Sequence, residues 1–172
     1  MKPRGFTLVE LVITITIMTI LIALAVANLS SSQANQRDAE RAADVATLAV
    51  NLETYYKSGI TESGTAQQGR YPSTGLTIGG DSVVQKNLPD MDIQSAIPPG
   101  ATSASGSFIN ASNAIETTAG VLPQPTTSQY IYQPILTTGI LCTSGAQECR
   151  RFNIFYRTEI DNTVLKVSSK HQ

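Results

Sequence analysis

Tryptophan is absent, histidine occurs once, and only 15% of the 172 residues are charged. The lone histidine, His171, falls at a position that reads as a frayed end, so no nucleophile–base arrangement is available. Lys and Arg number 12 against 13 Asp and Glu, a net charge of −1. That balance gives no broad basic face for nucleic acid. The pair of cysteines, Cys142 and Cys149, is too small for a four-ligand zinc site. No phosphate-binding loop exists either, because Gly79-Gly80-Asp81 lacks the required Lys and spacing and reads as a turn. The sequence therefore points to no enzyme, no metal and no cofactor.

Two further absences are local. Glycine and proline do not occur between Phe6 and Ser58, and no charge lies between Glu10 and Arg37. Residues 11 to 36 are thus 26 uncharged positions, and Leu8 to Leu29 is dominated by Leu, Ile, Val, Ala and Met. A helix of about 20 residues crosses the hydrocarbon core of a bilayer. Apolar side chains on every face of the early part fit surroundings of lipid or other helices. Lys2 and Arg4 precede the run and no basic residue closely follows it, which predicts a cytoplasmic N-terminus and an exported bulk.

Several readings compete for this segment. Ala25-Val26-Ala27 has the form of a signal cleavage site, but the apolar stretch is longer than a usual signal core and contains Glu10. A plain signal anchor explains length and orientation. It leaves unexplained a carboxylate inside the span, which costs about 2.5–3.5 kcal/mol at a helix centre and less near its end.

The run Lys2-Pro3-Arg4-Gly5-Phe6-Thr7-Leu8-Val9-Glu10-Leu11 resembles the class III leader of type IV pilins and pseudopilins. The resemblance is specific over about residues 1–30 and architectural beyond. It implies cleavage after Gly5 by a prepilin peptidase and N-methylation of Phe6. It also implies pairing of the new α-ammonium with Glu10 of a neighbouring subunit, which would set subunit register. Two charges that are each costly in an apolar setting become tolerable together. The implied partners are other copies of the chain in a homopolymer, the peptidase, the assembly machinery and, before assembly, the bilayer. Removal of residues 1–5 leaves 10 basic against 13 acidic residues. Many pilins carry a proline late in the apolar helix, often with a glycine before it; here that region reads Ala23-Leu24-Ala25-Val26-Ala27-Asn28.

Beyond Ser30-Ser31-Ser32 the helical period continues with charge. Val45, Leu48, Leu52, Tyr55 and Tyr56 fall on one face, the contact expected with a sheet. Glu40, Asp44, Thr47, Asn51 and Thr54 form a second face, and Ala39, Ala43, Ala46 and Val50 a third. Lys57-Ser58-Gly59 predicts the helix end, with a cation in the last turn and then Gly. One helix from Phe6 to Ser58 would be about 80 Å long.

Residues 59–128 are rich in Gly, Ser, Thr, Ala and Pro with dense turn signals. Short strands or helical turns are expected near Leu76–Ile78, Val83-Val84 and Phe108-Ile109. Asn110-Ala111-Ser112 is a weak glycan acceptor signal. Residues 129–170 predict an antiparallel meander. Its strands are Gln129 to Leu136, with Pro134 at an edge or bulge, Arg151 to Glu159, and Val164 to Val167. In the second strand, Phe152, Ile154 and Tyr156 lie on one face, with Asn153, Phe155 and Arg157 on the other. The cysteines lie between the first two strands. A disulfide is the economical reading and would stabilise the fold by about 2.5 kcal/mol; two free thiols are the alternative. Arg150-Arg151 reads as solvated charge, or as a contact for DNA or a host surface, which the sequence does not otherwise support.

The expected architecture is α+β: a leader (1–5), an apolar transmembrane helix (6–29), its amphipathic continuation (30–58) and a head (59–172) built on a small antiparallel sheet. The expected function is a pilus subunit for adhesion, motility or DNA uptake. The alternatives are a minor pilin or secretion pseudopilin, and a monomeric membrane-anchored surface binding protein.

Overall fold

The computed structural model describes residues 6–59 and 68–171. Gly5, with the rest of the expected leader, lies outside the described residues. One helix, α1 (Leu8–Ser58), runs 51 residues without interruption, about 77 Å at 1.5 Å per residue. It starts two residues after Phe6 because Thr7, in extended conformation, caps it. It ends where Gly59 turns left-handed (φ 63°) and donates its N–H to the Tyr55 carbonyl. A residue with a Cβ would be strained there.

A second helix, α2 (Asp81–Asn87), and two 3-10 turns, Thr74–Thr77 and Ile93–Ala96, follow. Leu76 and Val84, at two of the positions expected to form short strands or turns, are helical and buried. The sheet has four strands in spatial order: β1 (Phe108–Asn110), β2 (Tyr130–Leu136), β3 (Cys149–Arg157) and β4 (Val164–Ser168). β2, β3 and β4 form the antiparallel meander, and β1 adds to β2 in parallel, making the sheet mixed.

Pro134 sits without loss in β2. The Tyr130 N–H donates to Ser107, and the Tyr132 carbonyl accepts from Ala111, so even-numbered residues of β2 face β1. β1 has ended by the level of Pro134, so its missing N–H breaks no ladder bond. Its carbonyl accepts from the Cys142 N–H at 2.8 Å. The register then shifts between Ile135 and Leu136, which pair with Arg151 and Cys149 and leave Arg150 as an extra residue.

The main core joins α1 to the sheet. Val45, Leu48, Leu52 and Tyr55 are buried against Tyr132, Phe152, Ile154 and Tyr156. The alanine face, Ala39, Ala43 and Ala46, stays exposed with Val50. A second, smaller core covers the opposite side of the sheet: Phe155 and Ile131 are buried with Ala111 and Val121. The 111–125 segment forms its lid, fixed by a buried polar ladder. Gln133 donates to the Asn113 and Ile115 carbonyls (2.9 and 3.1 Å). Asn153 donates to Gln133 (2.9 Å) and to Glu116 (3.1 Å).

Cys142 and Cys149 form a disulfide with Cα atoms 5.6 Å apart. Their carbonyls accept the N–H groups of Thr74 (3.1 Å) and Tyr71 (2.8 Å), which fastens the segment after α1 to the sheet.

Candidate membrane and assembly site

Among the described residues, none buries the apolar first half of α1. Its apolar side chains, including Leu11, Ile17, Leu21 and Leu24, are exposed, and it is long and apolar enough to cross a membrane. Its threonines do not disturb that surface. Thr14, Thr16 and Thr19 turn their hydroxyls back onto carbonyls one turn earlier, at 2.8–2.9 Å. In an apolar medium each hydroxyl is thereby satisfied within the helix.

Glu10 sits in the first turn in a reciprocal cap. Its N–H donates to the Thr7 hydroxyl at 3.3 Å, while its Oε2 accepts from the Thr7 N–H (2.9 Å) and hydroxyl (2.7 Å). The carboxylate so satisfies an orphan donor of the helix start and lies at the favourable end of the helix dipole. Among the described residues, Oε1 accepts no hydrogen bond. One oxygen is held and the other is available. Phe6, immediately before the cap, is 87% exposed.

At the other end of the free helix stands a charged neck. Arg37 grips Glu159 in the β3–β4 turn through two hydrogen bonds, 2.8 and 2.5 Å. Arg41 is buried; it donates to Asp38 (2.7 Å), to the Thr127 carbonyl (2.7 Å) and to Glu159 (3.3 Å). Asp38 in turn accepts the N–H groups of Glu159 and Ile160. Hydrogen bonds from Arg37 foremost hold the Glu159 carboxyl down to about 2. Nothing in the helical period singled Arg41 out as buried, because its partners lie about 86 and 118 residues away in the chain.

Residues 1–26 match the family model for the prokaryotic N-terminal methylation motif. The chain carries the leader signature of type IV pilins and pseudopilins. No curated protein and no solved structure matches it. The match ends within the first half of α1 and does not reach the head.

Three sequence expectations on the head are corrected. His171 is not frayed: its ring stacks on Tyr56 with centroids 4.2 Å apart, and its Nε2 lies 3.4 Å from Glu53. Glu53 is buried and accepts from the Tyr71 hydroxyl (3.0 Å) and the Lys170 N–H (2.8 Å), which explains the anchored tail. Arg150 and Arg151 are not simply solvated. Arg150 donates to Glu148 and to the Gly69 carbonyl, both at 2.7 Å, and Arg151 pairs with Glu116 at 3.1 Å. Asn110 is not presented as a glycan acceptor: its amide donates to the Thr74 carbonyl at 2.8 Å and its Oδ1 is buried.

Proposed function

We propose that this chain is a structural subunit that polymerises through its N-terminal helix into a type IV pilus filament. The observation that carries the reading is an uncovered apolar helix which begins with a half-satisfied carboxylate, directly behind the leader signature. Before assembly the stem, residues 6–29, lies in the bilayer with the N-terminus on the cytoplasmic side. Residues 30–58 carry it into the head, which spans residues 59–172.

Cleavage after Gly5 and methylation of Phe6 leave a positive terminus. In the packed fibre that cation meets Glu10 of a neighbouring copy, whose free Oε1 receives it. The pair fixes the axial stagger because a mismatch would strand two charges among apolar stems. The neck of Arg37, Asp38, Arg41 and Glu159 keeps the head at a constant angle to the stem. No catalytic step belongs to this role.

The deciding experiment combines electron microscopy of surface filaments with mass spectrometry of their subunits. The expected result is thin filaments whose subunits begin at methylated Phe6. A subunit that retains Met1–Gly5 and never appears in filaments would instead indicate a monomeric anchored protein.

A further inference from the structure

At the end of the sheet where β3 begins, an open cleft of about 630 Å³ is lined by Tyr56, Thr137, Glu148, Arg150, Arg151 and His171. Consecutive strand residues normally point to opposite faces. Here the bulge leaves Arg150 unpaired between Cys149 and Arg151, so both arginines border the same cleft. One wall is the stacked pair of Tyr56 and His171. Arg150 is steadied from behind by the Gly69 carbonyl, and Arg151 by Glu116. Each guanidinium carries about five N–H donors, so these contacts leave donors over on both. Arg150 also meets Tyr56 and, two residues away, Glu148, whose side chain is 56% exposed. An exposed pair of this kind is weak and is readily exchanged for another anion.

We infer that this cleft binds a phosphate group, with Glu148 occupying the guanidinium of Arg150 until the ligand replaces it. The arginine forks match the geometry of phosphate oxygens. The volume exceeds that of a bare ion, and the aromatic wall suits a ring attached to the phosphate. The site is independent of the stem and of polymerisation.

The test is isothermal titration of the full-length chain in nonionic detergent, at constant ionic strength, with inorganic phosphate and with adenosine monophosphate. Saturable one-site binding is expected. The double variant Arg150→Gln, Arg151→Gln should lose at least tenfold in affinity. Glu148→Gln should gain about two- to fivefold, the exchange of one exposed ion pair. Tighter binding of the nucleotide assigns the aromatic wall to the ligand's ring; equal binding assigns the site to the phosphate alone. Absence of saturable binding to the wild-type chain overturns the inference. So does a Glu148→Gln chain, with an unchanged thermal melt, that binds no more tightly than wild type.

Discussion

The Tyr130 hydroxyl donates to Asp44 Oδ2 at 2.9 Å across the seam between the helix and the sheet. Burial raises the Asp44 carboxyl to about 6, with the hydrogen bond from Tyr130 acting against the rise and Glu40 adding to it. Burial of its ring, reinforced by the same carboxylate, pushes the Tyr130 hydroxyl well above the ordinary phenol range.

The pH dependence of the head follows from Asp44 and Glu159 together. A carboxyl raised in the folded state favours folding in its protonated form, so Asp44 adds stability as pH falls from 7 through 6 towards 4. Glu159, held at about 2, acts oppositely: its contribution is complete above its ordinary value near 4.5 and is lost as pH falls towards 2. Asp44 is only half-buried, and after allowance for solvent its share is about 1 kcal/mol. Thermal melts should therefore run a few degrees higher at pH 5 than at pH 7.5 and fall again below pH 4. Asp44→Asn should abolish the rise. A melting temperature that drops steadily from pH 7.5 to 5 in the wild-type chain would refute this assignment.

Glu10 combines a cap and a charge, and two substitutions separate them. Gln at the same position still completes a capping box, so Glu10→Gln should leave helix content and membrane insertion intact while filament yield falls at least tenfold. Glu10→Val removes the cap as well and should lower helix content at the helix start. Electron microscopy and circular dichroism report the two effects. Wild-type filaments from Glu10→Gln would remove the register role.

Processing should depend on Gly5, where the expected peptidase must approach the backbone closely. Gly5→Leu should accumulate as a membrane-bound precursor. Mass spectrometry of its N-terminus would then find residues 1–5 still attached; a subunit that begins at Phe6 would contradict the expectation.

The neck should show two grades of ion pair. Arg41→Ala removes a buried guanidinium and leaves Asp38 to the N–H groups of Glu159 and Ile160, and should cost about 3 kcal/mol, as for other broken buried pairs. Arg37→Ala removes a more exposed partner of Glu159 and should cost much less. Urea unfolding of the two variants gives the comparison, and equal losses would show that burial does not separate them.

Reduction of the disulfide should act on the segment that its carbonyls hold. Cys142→Ala with Cys149→Ala should lower stability by about 2.5 kcal/mol. Hydrogen exchange at the Tyr71 and Thr74 amides should accelerate, since those amides donate to Cys149 and Cys142. Unchanged protection at both would mean that the backbone pairing holds without the bridge.

The stem, the helix end and the meander were legible because their signals are local. An uncharged run, the step from Leu48 to Leu52 and a left-handed Gly59 each act within a turn or two of helix. The alternation in β3 correctly separated Phe152 from Phe155, but it did not show that Phe155 has a cover of its own. That cover depends on Gln133 and Asn153 reaching carbonyl and carboxylate groups about 20–37 residues away. β1 is only three residues long, and its parallel pairing with β2 leaves no periodic trace. His171 looked free because nothing in its neighbourhood announces Glu53, on the far side of the fold in sequence terms. The polar Ser, Thr and Gly composition of residues 68–128 concealed an ordered segment held by backbone turns and by side chains that bond to carbonyls.

An unbroken α1 makes the spacing between Glu10 and Arg37 a matter of phase as well as length. Each residue of helix advances the chain by about 1.5 Å and turns it by roughly 100°. A single residue inserted among Ser30–Gln36 would swing the head to a different azimuth around the stem while scarcely lifting it. Seven residues would lift it by about 10 Å and return it nearly to its original heading. The heading of the head around its own stem is thus written in the count of residues between one acid and one arginine.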